Sequence, residues 1–217
     1  MPHLAEQDDR RPVRAPARRA SQLPPPLSVL VVTGPSGVGK GTLIRRLLER
    51  RPDYRLSVSA TTRTPRPGEV DGRDYHFLTE QEFERRLAAG DFLEHALYAG
   101  NHYGTLKEEV DRSPGNLVLE IEVEGARQVR KALPEATQVF IAPPSDEALR
   151  ERLVGRRTDA PEVIERRLAR AREELDARKE FKRVIVNDDL ERAVDELVEL
   201  AATIDSPPND PPEGVTE

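Results

Sequence analysis

The chain of 217 residues has no cysteine, no tryptophan, a single methionine and only 4% aromatic residues. Without thiols it can build neither a disulfide framework nor a thiolate metal site, which fits a reducing compartment. No apolar run approaches the roughly 20 residues of a membrane-spanning helix. The first residues carry charge and proline where a secretory signal would carry an apolar core. A soluble, cytoplasmic protein without a membrane partner is the expectation. Lysine is scarce as well: 29 of the 34 basic residues are arginine. Arginine suits bidentate grips on phosphate. The net charge of −6 argues against general affinity for nucleic acid.

What the chain does have is a phosphate-cradling turn. The apolar run Val29-Leu30-Val31-Val32-Thr33 stops at Gly34-Pro35-Ser36-Gly37-Val38-Gly39-Lys40-Gly41-Thr42, and Leu43, Ile44, Leu47 and Leu48 follow at helical spacing. The turn reads G-x-x-x-x-G-K. Its glycines let backbone N–H groups curl toward phosphate oxygens, and the following helix adds the positive end of its dipole. Lys40 can reach the outer phosphates as a point charge. A nucleoside triphosphate is the leading ligand. One departure stands out: Gly41 occupies the place where Ser or Thr usually holds Mg²⁺, and Thr42 follows. The dinucleotide fingerprint G-x-G-x-x-G fails, because its last glycine would fall on Thr42.

Residues 1–27 and 206–217 are rich in proline and charge and read as disordered extensions. Between them, 28–205 alternates apolar runs with helical patterns. Strands are expected at Val29–Thr33, Leu117–Val123, Gln138–Ala142 and Arg183–Val186, and helices from near Thr42, Thr79, Glu124, Ser145, Pro161 and Leu190. Short apolar strands separated by helices predict an α/β fold, a parallel sheet covered by helices on both faces. Ligands of such folds bind at the carboxyl edge of the sheet. Residues 57–108 break the alternation with turns at Pro67-Gly68, Asp71-Gly72 and Gly100-Asn101, and they hold three of the four tyrosines. They are expected to form a small inserted α+β subdomain, leaving a core of 28–56 and 109–205.

That insertion carries hydroxyls and two arginines in Ser57-Val58-Ser59-Ala60-Thr61-Thr62-Arg63-Thr64-Pro65-Arg66-Pro67-Gly68-Glu69. Arginines three apart, held by prolines, can fork around one phosphate. This stretch, with the phosphate loop, Gly72-Arg73-Asp74-Tyr75-His76-Phe77, Phe92-Leu93-Glu94 and Gly100-Asn101-His102-Tyr103-Gly104-Thr105, resembles the guanylate kinases from about Leu27 to Ile204. The resemblance implies transfer of the ATP γ-phosphate to GMP. It implies that Arg63 and Arg66 grip the GMP phosphate with help from Tyr75 and Tyr103. It also implies that Glu94, Ser59 and Thr105 read the guanine. A carboxylate can accept from guanine N1–H and N2–H₂, whereas adenine would turn a bare acceptor toward it. Hydroxyls from Ser59 and Thr105 can donate to O6.

The run Leu117-Val118-Leu119-Glu120-Ile121-Glu122-Val123-Glu124-Gly125 resembles the family's second phosphate-side strand, with Glu where Asp is common. An acid there orients waters of Mg²⁺ or touches the acceptor. Thr42 and Glu120 are assigned to Mg²⁺ and Glu122 to GMP, while the division of roles with Glu124 stays open. Residues 152–168 resemble the mobile lid, whose arginines Arg152, Arg156 and Arg167 close on the phosphates together with Lys40 and Arg63. Arg157 stands where Gly is usual, and His102 where a second Tyr is frequent. Asn187 resembles the residue near adenine, although a plain helix cap by Asn187 or Asp188 fits equally. Neighbouring arginines such as Arg166, Arg170 and Arg178 fit a solvated helix face. The rival readings are a catalytically inert binding module, a kinase of another nucleoside monophosphate, and a regulatory NTPase without a small acceptor. Homo-oligomerisation is left open.

Overall fold

The computed structural model describes residues 28–98, 100–113, 115–155 and 161–205. The expected extensions at 1–27 and 206–217 lie outside the described residues, as does Arg156 in the expected lid. Five parallel strands form the main sheet: β1 (Val29–Thr33), β2 (Tyr54–Leu56), β7 (Asn116–Glu120), β8 (Thr137–Ala142) and β9 (Arg183–Val186), in the order β2-β7-β1-β8-β9. All five β1 residues are buried because β1 lies between β7 and β8 with helices on both faces. Alternation along the strand divides the core. Leu30 and Val32 join Leu43, Ile44 and Leu47 of α1 (Lys40–Arg50) and Val194 and Leu197 of α7 (Leu190–Asp205). Val29 and Val31 join Val123, Ala126 and Val129 of α4 (Val123–Ala132) on the other face. Each fully buried aliphatic side chain contributes about 1.5–3 kcal/mol relative to leaving it exposed.

The second sheet has four short strands in the order β4-β3-β6-β5: β3 (Ala60–Thr61), β4 (His76–Phe77), β5 (Phe92–Tyr98) and β6 (Asn101–Leu106). Helix α2 (Glu80–Ala88) starts at Thr79, whose hydroxyl accepts from Glu82 N–H. It places Phe83 against Phe92, with ring centroids 4.3 Å apart. One face of this sheet is therefore filled by Ala60, Phe83, Phe92 and Leu106. A short α3 (Lys107–Asp111) returns the chain to the main sheet. The pair α5 (Asp146–Gly155) and α6 (Pro161–Asp176) packs through Leu149, Leu153, Leu168 and Ala171.

The structure departs from the expected elements at several points. The strand expected over Leu117–Val123 ends at Glu120, because the chain turns at Ile121-Glu122 and enters α4 at Val123. Strand β2 was not expected: it has three residues at the sheet edge and no apolar run to mark it. Among the described residues, no helix is long and apolar enough to cross a membrane.

Candidate active site

A cavity of about 540 Å³ opens at the carboxyl edge of the main sheet, between the turn after β1 and the second sheet. Its two walls are built differently. The first wall is backbone. Gly34, Gly37 and Gly39 all have positive φ, at +140°, +86° and +102°. A Cβ on Gly34 would lie 2.3 Å from the Ile141 carbonyl oxygen of β8, and one on Gly39 would lie 2.6 Å from Asn187 Nδ2. Glycine is thus required by both conformation and close approach. Helix α1 begins here with no acid in its first turn and no side-chain cap, so its N-terminal N–H groups remain available to an anion. Lys40, 8% exposed, donates from Nζ to the Gly34 carbonyl at 2.6 Å and lies 4.0 Å from Glu122 Oε1.

Asn187 and Arg152 hold this loop from behind. Asn187 is buried and donates from Nδ2 to the Val38 carbonyl at 2.8 Å. Arg152 donates to the Val38 carbonyl at 3.1 Å and to the Asn187 carbonyl at 2.7 Å. The cap of α7 is Asp189, which accepts from Arg192 N–H at 2.9 Å, so neither Asn187 nor Asp188 serves as that cap.

The second wall is made of side chains. Ser59, Arg63, Arg66, Tyr75, Glu94 and Tyr103 all line it. Arg63 donates to Glu69 Oε1 at 2.8 Å, and its guanidinium carbon lies 5.4 Å from the Tyr75 ring centre. The Glu69 carboxylate beside Arg63 holds that guanidinium above its ordinary pKa. Glu69 also accepts from the Arg66 N–H at 2.7 Å, so a single carboxylate fixes both arginine positions. Burial pushes the Tyr75 hydroxyl up, keeping it a neutral donor.

Glu94 lies deepest. Burial pushes its carboxyl up, and hydrogen bonds from Thr105 partly oppose that shift. The Thr105 hydroxyl, itself fully buried, donates to Glu94 Oε1 at 2.8 Å. Thr105 therefore stands behind Glu94 and not on the cavity wall, a contact different from the guanine contact that resemblance implies. The other carboxylate oxygen lies against the first turn of α4: a Cβ on Gly125 would be 2.4 Å from Glu94 Oε2. Gln128 of α4 pairs with the β5 backbone through His95 N–H at 3.0 Å and the His95 carbonyl at 2.8 Å.

The three acids after β7 separate cleanly. Glu120 ends β7, Glu122 precedes α4, and both face the cavity. Glu124 is turned outward and pairs with Arg127 at 3.2 Å. Burial pushes the Glu120 carboxyl up; Lys40 pulls it down and Glu122 pushes it up again.

Comparison with known proteins bears on this arrangement. The guanylate kinase family model matches residues 27–203. The chain belongs to the guanylate kinase family. It is 59% identical over 170 residues to a guanylate kinase of Synechococcus sp. (strain CC9311), covering 77% of this chain and 90% of that one. It is 58% identical over 179 residues to one of Gloeobacter violaceus, covering 81% of this chain and 87% of that one. The crystal structure of guanylate kinase from Anaplasma phagocytophilum is 30% identical, with a TM-score of 0.66 over 85% of this chain and 88% of that one.

Within this guanylate kinase fold, the residues expected from sequence fall into three groups. Pro35 to Thr42, Ser59, Arg63, Arg66, Tyr75, Glu94, Tyr103, Glu120 and Glu122 converge on one cavity, Val38 apart, which like Gly34 is buried beneath the loop. Asn187, Arg152 and Thr105 lie one layer behind it. Arg156 lies outside the described residues, and Arg167 is described only as a position on α6. Sequence reasoning missed Glu69, Gly125 and Gln128. Glu69 had a signal, closing the arginine loop three residues after Arg66. Gly125 and Gln128 had none, because their role depends on α4 lying beside β5.

Proposed function

We propose that the chain transfers the γ-phosphate of ATP to the phosphate of GMP across this cavity, giving ADP and GDP. The observation that carries the reading is the meeting of two unlike sites: a backbone phosphate cradle with Lys40, facing a side-chain site with paired arginines and a buried carboxylate. A lone NTPase needs only the first.

In this reading residues 57–108 form the GMP subdomain, 28–56 and 109–205 the core, and about 152–168 the lid. ATP phosphates lie against the N–H groups of the loop and α1, with Lys40 on the outer phosphates. Arg63, Arg66, Tyr75 and Tyr103 hold the GMP phosphate so that one of its oxygens faces the γ-phosphorus in line. Glu94 accepts from guanine N1–H and N2–H₂, Ser59 donates to O6, and Thr105 keeps Glu94 in place. No side-chain nucleophile or catalytic histidine is required, because phosphoryl transfer depends on positioning and charge neutralisation. Closure over the phosphates, with Arg152, Arg156 and Arg167 contributing charge, would keep water from competing with GMP.

Kinases of this family generally act with a divalent metal, and we assign Mg²⁺. The donors are suitable hard oxygens: the half-buried Glu120 carboxylate, which faces the cavity with Lys40, and the Thr42 hydroxyl. Among the described residues no three His, Cys, Asp or Glu side chains form a metal cage, so nucleotide phosphates would supply much of the coordination. When bound, Mg²⁺ supplies charge neutralisation for the phosphates. A cytoplasmic setting follows from the same reading, since both nucleotides are soluble metabolites.

The test is coupled ADP release with MgATP and GMP, AMP, UMP, CMP or no acceptor. ADP is expected with GMP and not with the others. ADP without an acceptor, or equal rates with AMP, would overturn the reading.

A further inference from the structure

Arg170, which sequence reasoning placed on a solvated helix face, has two partners. From α6 it donates through Nε to Glu174 Oε1 at 3.2 Å. Its guanidinium carbon lies 4.5 Å from the ring centre of Tyr98, the last residue of β5. Tyr98 borders the cavity and meets Tyr103 edge-on, with ring centres 6.3 Å apart at 75°. Tyr103 in turn meets Tyr75 edge-on at 6.1 Å, and the Arg63 guanidinium carbon lies 5.4 Å from the Tyr75 ring centre. A continuous line of contacts therefore runs from α6 to the arginine assigned to the acceptor phosphate.

The location makes the contact mechanically useful. β5 is an edge strand of its sheet. Gln128 of α4 ties it at His95, but Tyr98 lies three residues further along. There the Arg170 stack joins it to α6. Glu174 is buried and holds the guanidinium at Nε while its carbon lies over the ring.

We propose that Arg170 and Tyr98 are positioning residues for the acceptor. The stack draws α6 onto the far end of β5 and, through Tyr103 and Tyr75, fixes Arg63 where the GMP phosphate arrives. This inference rests on the GMP reading above. Neither residue touches the reacting atoms, so both act through Tyr103, Tyr75 and Arg63.

A double-mutant cycle tests it in the full chain: Arg170→Gln, Tyr98→Val, the double variant, and Tyr98→Phe as the conservative control. GMP affinity is read by calorimetry with GMP alone, and KM for GMP and for ATP by coupled ADP release. Each single variant is expected to weaken GMP by about three- to tenfold with KM for ATP unchanged. The double variant is expected to be no worse than the weaker single one, because both remove the same contact. Tyr98→Phe keeps the ring face and is expected to retain GMP affinity. Multiplying effects, or wild-type GMP affinity in Arg170→Gln, would overturn the inference while leaving GMP turnover intact. A wild-type chain that neither binds nor phosphorylates GMP would overturn the underlying reading, and the inference with it.

Discussion

The two walls of the cavity solve the same problem, holding a phosphate, by different means. Around Gly34–Lys40 the work is done by backbone: three glycines with positive φ, the open N-terminus of α1 and one buried lysine. Around Arg63–Tyr103 it is done by side chains from separate strands and loops, each held by a further residue such as Glu69 or Thr105. A backbone cradle recognises phosphate and little else. A side-chain site can also read a base, at the cost of keeping polar groups buried before the ligand arrives.

The comparison is sharpest if each wall can be damaged alone. Lys40→Ala should lower turnover by about a hundredfold or more, as removal of one preorganised charge contact does elsewhere. GMP affinity measured without ATP should remain close to wild type. Glu94→Gln should do the reverse, raising KM for GMP by a factor that corresponds to about 1.5–3 kcal/mol, with KM for ATP unchanged. Thermal unfolding of that variant should move upward, because the amide removes a carboxyl whose ionisation burial disfavours.

Outside both walls, Glu174 of α6 is buried, with one oxygen on Arg170 and the other without a hydrogen-bond partner. Burial and the charge of Glu122 push its carboxyl up to about 7, against the opposing pull of Lys40 and Arg170. The folded chain therefore holds this proton to higher pH than the unfolded chain does. The corresponding stability is fully present below about pH 4.5 and is lost as pH rises through about 7. Glu174→Gln should remove that slope, with a difference of about 3 kcal/mol between the ends of the window, measured by urea unfolding. The smallest effect is expected for Thr105→Val, about 1 kcal/mol in GMP affinity, because it removes one hydrogen bond that holds Glu94.

The same contrast explains what could be read from the chain alone. The backbone wall is contiguous in sequence, so strand, glycine spacing, lysine and helix were legible together, and β1 and β9 fall where the apolar runs placed them. The side-chain wall was legible only where residues touch the cavity. Thr105 was visible as a hydroxyl, but its donation to Glu94 follows from the β5–β6 pairing of Glu94 with Thr105. Gly125 looked like an ordinary residue of α4, yet the Glu94 carboxylate occupies the space of its missing side chain. Arg170 looked like surface charge because Tyr98, 72 residues earlier in the chain, comes beneath it only after both sheets and α6 have assembled. Periodicity records which face a residue is on, and not what will meet it there.

The most direct test is a crossed calorimetric titration. Wild type, Lys40→Ala and Glu94→Gln are each titrated with GMP and, separately, with a non-hydrolysable ATP analogue and Mg²⁺. The expected pattern is reciprocal: Lys40→Ala weakens the ATP analogue and keeps GMP, while Glu94→Gln weakens GMP and keeps the analogue. Loss of both ligands in either variant, with the protein still folded by circular dichroism, would contradict the assignment of one nucleotide to each wall.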